Sequence, residues 1–135
     1  MDITVRNLQS KVPIPFSRIK STALKACRVL SSLKFKSGIS VVLVGPKHMQ
    51  TINQLYLGHD YVTDVLTFDL TDTAEIVICP SMATKNAKTY GNSVNREILL
   101  YVIHGLLHLS GYDDHTPKDI QRMRLTEERL LKASI

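Results

Sequence analysis

The chain is short of the features that mark exported or membrane-bound proteins. Only two of its 135 residues are cysteine, and Cys27 and Cys79 sit in apolar contexts without ligand-like spacing. They read as buried free thiols, which fits a reducing cytoplasm better than a disulfide framework. No apolar run approaches the eighteen or so residues of a membrane-spanning helix. The start, Met1-Asp2-Ile3-Thr4-Val5-Arg6, lacks the basic and apolar segments of a signal peptide. There is no internal repeat, no low-complexity tract and no linker, so one domain over residues 1–135 is expected. A domain of this size buries enough surface to fold without a metal as a staple. A metal, if present, would therefore serve function.

The composition is that of a globular protein, with 44% hydrophobic and 21% charged residues. Lysine and arginine outnumber the acids, giving a formal charge of +5 and a pI near 9.3. That balance favours a polyanionic partner such as nucleic acid, although many basic proteins bind none.

Periodicity and end signals predict four strands and five helices, an α+β domain with a partly parallel, mixed sheet. Strands are expected at 3–9, 39–44, 65–68 and 75–79. Ser17 is expected to cap a first helix that carries Ile19, Ala23, Ala26, Leu30 and Leu33, with Gly38 as a break after it. Pro46 opens a second helix that Gly58 stops, and Pro80-Ser81 opens a third that Gly91 ends. Ser93 caps the most apolar helix, running to about Leu109 with Gly111 as its stop. Thr116-Pro117 starts the last helix, with Ile120, Met123, Leu130 and Leu131 on its inner face.

Three of the five histidines fall between positions 104 and 115. His104 and His108 are one helical turn apart, so both imidazoles share a face and can grip one ion. Gly111 allows the chain to reverse and bring back Asp114 or His115 as a third ligand. Three protein ligands with one open position is the layout of a catalytic zinc site. A buried helix with two satisfied core histidines is the competing reading, and it must bury two imidazoles at a cost. Zinc peptidases place Glu directly after the first histidine; here that residue is Gly105, which argues against a peptidase. Glu97 lies two turns before His104 and is read equally as a group that orients a ligand or as an ordinary first-turn acid.

His104-Gly-x-Leu-His108-Leu-x-Gly111-Tyr112-Asp113 resembles the signature of the YbeY family of bacterial endoribonucleases. Two further blocks resemble it in the same order: Asn53-x-x-Tyr56 followed by His59-Asp60-x-x-Thr63-Asp64-Val65-Leu66-Thr67-Phe68, and Glu75-Ile-Val-Ile-Cys79. The resemblance implies a zinc-dependent, metal-hydrolase-like α+β fold. It also implies cleavage of single-stranded RNA in maturation of small-subunit ribosomal RNA, and ribosome quality control. RNA and ribosome-assembly proteins would be its partners.

Two residues depart from the family pattern. Many members carry Arg after the tyrosine matching Tyr56, where this chain has Leu57. The usual third ligand is His ten residues after the first, where this chain has Asp114. Register without insertion, and the competence of a carboxylate as zinc ligand, favour Asp114 over His115. His104, His108 and Asp114 are thus the expected metal-binding and catalytic set. An aspartate ligand adds negative charge, which makes bound water less acidic and repels phosphate more strongly. His115 is then free to contact phosphate or to shuttle a proton, or is simply exposed. The strand at Thr63–Phe68, with Thr67, is expected to line the substrate cleft. His59 either replaces the missing Arg near phosphate or is an exposed loop residue. Lys85, Lys88, Arg96, Arg122, Arg124 and Arg129 are candidate phosphate contacts, although most such charges are merely solvated. The competing functions are a zinc-stabilised ribosome-assembly factor that does not cut, and a metal hydrolase of another substrate.

Overall fold

The core of the fold is a four-stranded sheet whose two central strands are almost wholly apolar. In the computed structural model, which describes residues 2–134, the strands are β1 (Ile3–Asn7), β2 (Gly38–Leu43), β3 (Val65–Asp69) and β4 (Thr73–Ile78). Their order is β1-β2-β4-β3; the first three run parallel and β3 pairs antiparallel with β4 at the edge. β2 and β4 are central and covered on both faces, which is why they read as near-continuous β-branched runs.

The helices are α1 (Phe16–Val29), α2 (Pro46–Leu57), α3 (Pro80–Tyr90), α4 (Val94–Leu109) and α5 (Pro117–Ala133). Alternate residues of the central strands separate two cores. Val41, Leu43, Ile76 and Ile78 pack with α1 and α4, whereas Val42 and Val77 pack with Met49 and Ile52 of α2. α4 is the buried spine, with Ile98, Leu99, Val102, Ile103, Leu106 and Leu107 inaccessible to solvent. Among the described residues no helix is long and apolar enough to cross a membrane.

Expected end signals operate at most helix ends. The Ser93 hydroxyl accepts from the Arg96 N–H at 3.1 Å, and the Thr116 hydroxyl accepts from the Asp119 N–H at 3.1 Å. Gly58 and Gly91 close α2 and α3 in the left-handed conformation.

Several local expectations are corrected. β1 ends at Asn7, and α1 ends at Val29, so Leu30 and Leu33 join the core from beyond it. α1 begins at Phe16 after Pro15 with no side-chain cap, so Ser17 lies inside its first turn. Proline there fixes the entry without a capping hydroxyl. Gly38 does not break the chain but opens β2 at φ +94°, and a Cβ on it would lie 2.4 Å from the Asp2 carbonyl oxygen. β2 and β4 consequently lie one or two residues earlier than the apolar runs suggest. Ile120, expected inside, is 36% exposed and lines a cleft instead.

Candidate metal centre

α4 and the turn after it build the site. His104 and His108 project from one face of the spine helix, and their Nε2 atoms are 3.0 Å apart. After Leu109 the chain turns through Ser110 and Gly111, the latter at φ +106°. A side chain there would be strained, so glycine permits the reversal. The returning loop places Asp114 Oδ2 at 3.5 Å from His108 Nε2 and 3.8 Å from His104 Nε2. Thr116 then caps α5, which fixes the far end of the loop.

Two imidazole nitrogens and one carboxylate oxygen thus converge within 4.8 Å of one another. A tetrahedral ion with bonds of about 2.1 Å separates its ligands by about 3.4 Å. The three separations bracket that value, so the donor set fits one metal ion without rearrangement. The two histidines are partly buried and the aspartate is the most open of the three.

The carboxylate that orients His104 is Glu127, not Glu97. Glu127 Oε1 lies 2.5 Å from His104 Nδ1, reaching across from the inner face of α5. Glu97 is buried on the same helix as His104 but accepts from the Asn92 amide at 2.6 Å instead. Burial disfavours the imidazolium of His104, yet the hydrogen bond and charge of Glu127, with Asp114 and Asp64 behind it, outweigh burial and raise its pKa. The sequence carries a signal for Glu127. It stands between Met123 and Leu130 at helical spacing, an acid on an apolar face.

A cleft of about 710 Å³ opens beside the donors, between β3, α3, α4 and α5. Asp64 and Val65 of the Thr63–Phe68 segment line it. The Asp64 carboxylate accepts from the Val65 N–H at 2.8 Å and the Thr63 hydroxyl at 3.3 Å. Tyr101 closes one wall, its hydroxyl accepting from Asn86 at 2.7 Å. Burial above all, with Asp64 and Glu97 nearby and Asn86 opposing, pushes the Tyr101 phenol far up, so it stays neutral. Buried Asn53 donates from its amide to the Tyr61 carbonyl at 3.1 Å and ties down the loop leading to Asp64.

Other candidates lie elsewhere. His115 is exposed and outside the donor group. His59 stacks on Tyr61, with ring centroids 5.3 Å apart. Thr67 pairs in register with Ile76, on the face of β3 that Val65 shares, but does not line the cleft. Lys85 and Lys88 are exposed on α3, also outside the lining. Arg96 is held by Glu128 in an ion pair at 2.5 Å. Arg124 lines the cleft, whereas Arg122 and Arg129 line a separate groove. Leu57 is half exposed at the end of α2.

Fold and donors together define an α+β protein in which two histidines of the central helix and an aspartate of the loop after it form a group able to hold a metal ion. The family model described as Endoribonuclease YbeY matches residues 4–134. The chain belongs to the YbeY family. A Carboxydothermus hydrogenoformans protein named Endoribonuclease YbeY is 32% identical over 135 residues, covering 96% of this chain and 94% of its own. An Elusimicrobium minutum protein of the same name is 34% identical over 125 residues, covering 85% of this chain and 87% of its own. The solution structure of a Thermotoga maritima protein is similar at a TM-score of 0.68 and 27% identity, covering 98% of this chain and 89% of that one.

Proposed function

We propose that this chain is a zinc-dependent endoribonuclease that cuts single-stranded RNA in the cytoplasm, during maturation of the small-subunit ribosomal RNA 3′ end and ribosome quality control. Ribosome-assembly proteins are its expected partners. The observation that carries the reading is the convergence of His104, His108 and Asp114 beside an open cleft in a chain whose relatives are named endoribonucleases. Two imidazoles and a carboxylate suit zinc.

When bound there, zinc supplies Lewis acidity, which lowers the pKa of water and polarises a phosphoryl oxygen. The protein's own groups prepare the site. Glu127 takes the Nδ1–H of His104, which leaves the Nε2 lone pair directed at the shared centre. Asp114 supplies the third donor. Asp64, held by Val65 and Thr63, is a fixed acceptor in the cleft wall that can orient a water molecule. The position after His104 is Gly105, packed against Ile76 of β4, and it offers no side chain to serve as a base. That argues against peptide hydrolysis of the zinc-peptidase kind.

Leu57 favours one second reading, a zinc-stabilised assembly factor that binds without cutting. A single comparison decides between them. Purified protein and a His104→Ala variant are assayed on a single-stranded RNA, with zinc quantified in both. The expected result is cleavage and about one zinc per chain in the wild type, with both lost in the variant. Equal cleavage by both would sink the nuclease reading, and a zinc-loaded wild type that binds RNA without cutting it would favour the assembly factor.

A further inference from the structure

The charges around the metal donors are unfavourable for a polyanion. The cleft is lined by Asp64, Glu97, Asp114, Glu127 and Glu128 against one cation, Arg124. A bound dication offsets only part of that excess. An RNA strand entering this cleft therefore needs positive charge from a neighbouring surface.

That charge lies on the other side of α5. Lys118, Arg122, Leu125 and Arg129 recur at spacings of four, three and four, which aligns them as one stripe. With Tyr112 and Gln121 they line an open groove of about 550 Å³ whose wall contains no carboxylate. The acids of α5, Asp119, Glu127 and Glu128, all lie outside it. Among the described residues none of the three cations forms an ion pair, in contrast to Arg96. The Arg122 guanidinium sits 4.8 Å over the Tyr112 ring, a stacking that holds the group while leaving its N–H donors available. Tyr112 precedes Asp114 by two residues, so their Cα atoms are at most about 7 Å apart. The groove thus adjoins the metal donors without sharing their acidic lining.

We propose that this α5 groove is a separate anchoring site for the phosphate backbone of single-stranded RNA. Lys118, Arg122 and Arg129 bind phosphates that flank the one at the metal centre. The proposal rests on the RNA reading above, and the experiment separates the two.

Binding of a labelled single-stranded RNA is followed by fluorescence anisotropy over a salt series, with strand integrity checked on a gel and cleavage assayed in parallel. The full-length wild type is compared with a Lys118→Ala, Arg122→Ala, Arg129→Ala variant. A second triple variant, Lys11→Ala, Lys20→Ala, Lys47→Ala, loses the same charge from exposed positions outside the groove. The groove variant is expected to bind about tenfold or more weakly, with a slope of log affinity against log salt shallower by about 2, as three lost phosphate contacts require. The control should stay within about threefold of wild type. Arg122→Lys should keep the salt slope, since the charge is retained, but lose part of the affinity, since an ammonium lacks the planar donor group that stacks on Tyr112. If the groove variant misfolds, single Lys118→Gln and Arg129→Gln variants at exposed sites should each reduce the slope by about 0.7. A groove variant that binds like the wild type or like the control overturns the anchor; continued RNA cleavage by that protein would leave the nuclease reading standing. A wild type that neither binds nor cuts RNA removes both.

Discussion

Gly105 lies so close to Ile76 that a Cβ on it would meet the Ile76 Cγ2 atom at 2.8 Å. Ile76 is fully buried and β-branched, so it has little freedom to move aside. Gly105→Ala should therefore lose about 1–3 kcal/mol to overpacking. Better helix propensity returns up to about 1 kcal/mol. The expected net effect is a destabilisation of about 1 kcal/mol, read from the urea midpoint. Ile76→Ala in the same chain should cost less than the sum of the two single changes, because it removes the Cγ2, Cγ1 and Cδ1 atoms that the new Cβ would meet. Strict additivity of the two changes would show that the contact is not the cause.

Glu127 makes a second prediction. Removing a carboxylate that orients a ligating histidine costs metal affinity about 10–100-fold. Glu127→Ala should fall in that range by competition with a chelator, and Glu127→Gln should fall less, because the amide oxygen can still accept from Nδ1. Glu97→Gln should weaken metal binding little, since Glu97 bonds to Asn92, and its effect belongs to stability. The opposite order of the two sites would restore Glu97 as the orienting group.

Those two glutamates show where the sequence is legible and where it is not. Signals within one element came through. The four-residue spacing of His104 and His108, the Ser93 and Thr116 caps, and the Pro46 and Gly58 ends of α2 are all local chemistry. At Gly38 the freedom of glycine serves a close approach of β2 to Asp2 and not a break, and at Ser17 the Pro15 entry sets the helix start without the hydroxyl. Glu127 lies 23 residues from His104, and only the packing of α5 on α4 joins them. Helical spacing put Glu97 on the right face of α4, but its nearer partner Asn92 claimed it. The acidity of the cleft is likewise a product of tertiary packing, with contributions from Asp64 just before β3, from α4, from the loop after α4 and from α5.

The cysteines give a pH prediction. Burial raises the pKa of both Cys27 and Cys79; at Cys79 the backbone N–H groups of Met82 and Ser81 oppose the shift and Asp64 adds to it. A raised thiol pKa means that the folded chain keeps protons the unfolded chain releases. Their contribution to stability is complete below the ordinary thiol range and declines as pH rises through it towards the folded values. At neutral pH both thiols should react with iodoacetamide more slowly than a free cysteine does. Cys79, which is fully buried, should be the slower, and denaturant should remove the difference. Fast alkylation of Cys79 in the native protein would contradict the packing of β4 against α2.

Asp114 and His115 offer the sharpest test at the metal centre, because they are adjacent and only one is in the donor group. Asp114 Oδ2 lies within 3.8 Å of both histidine Nε2 atoms, while His115 is exposed. Asp114→Ala removes one of three donors and leaves two imidazoles, so metal should be lost on dialysis. His115→Ala should retain it. The informative variant is Asp114→His, which replaces the carboxylate with a third imidazole. With His in place of Asp the site carries one negative charge fewer, so bound water should become more acidic and phosphate less repelled. Metal should then be retained, and the pH at which RNA cleavage reaches half its plateau should move down. Loss of metal in His115→Ala with retention in Asp114→Ala would reassign the third ligand. A cleavage profile that moves up in Asp114→His would show that the charge of Asp114 does not govern the acidity of the centre.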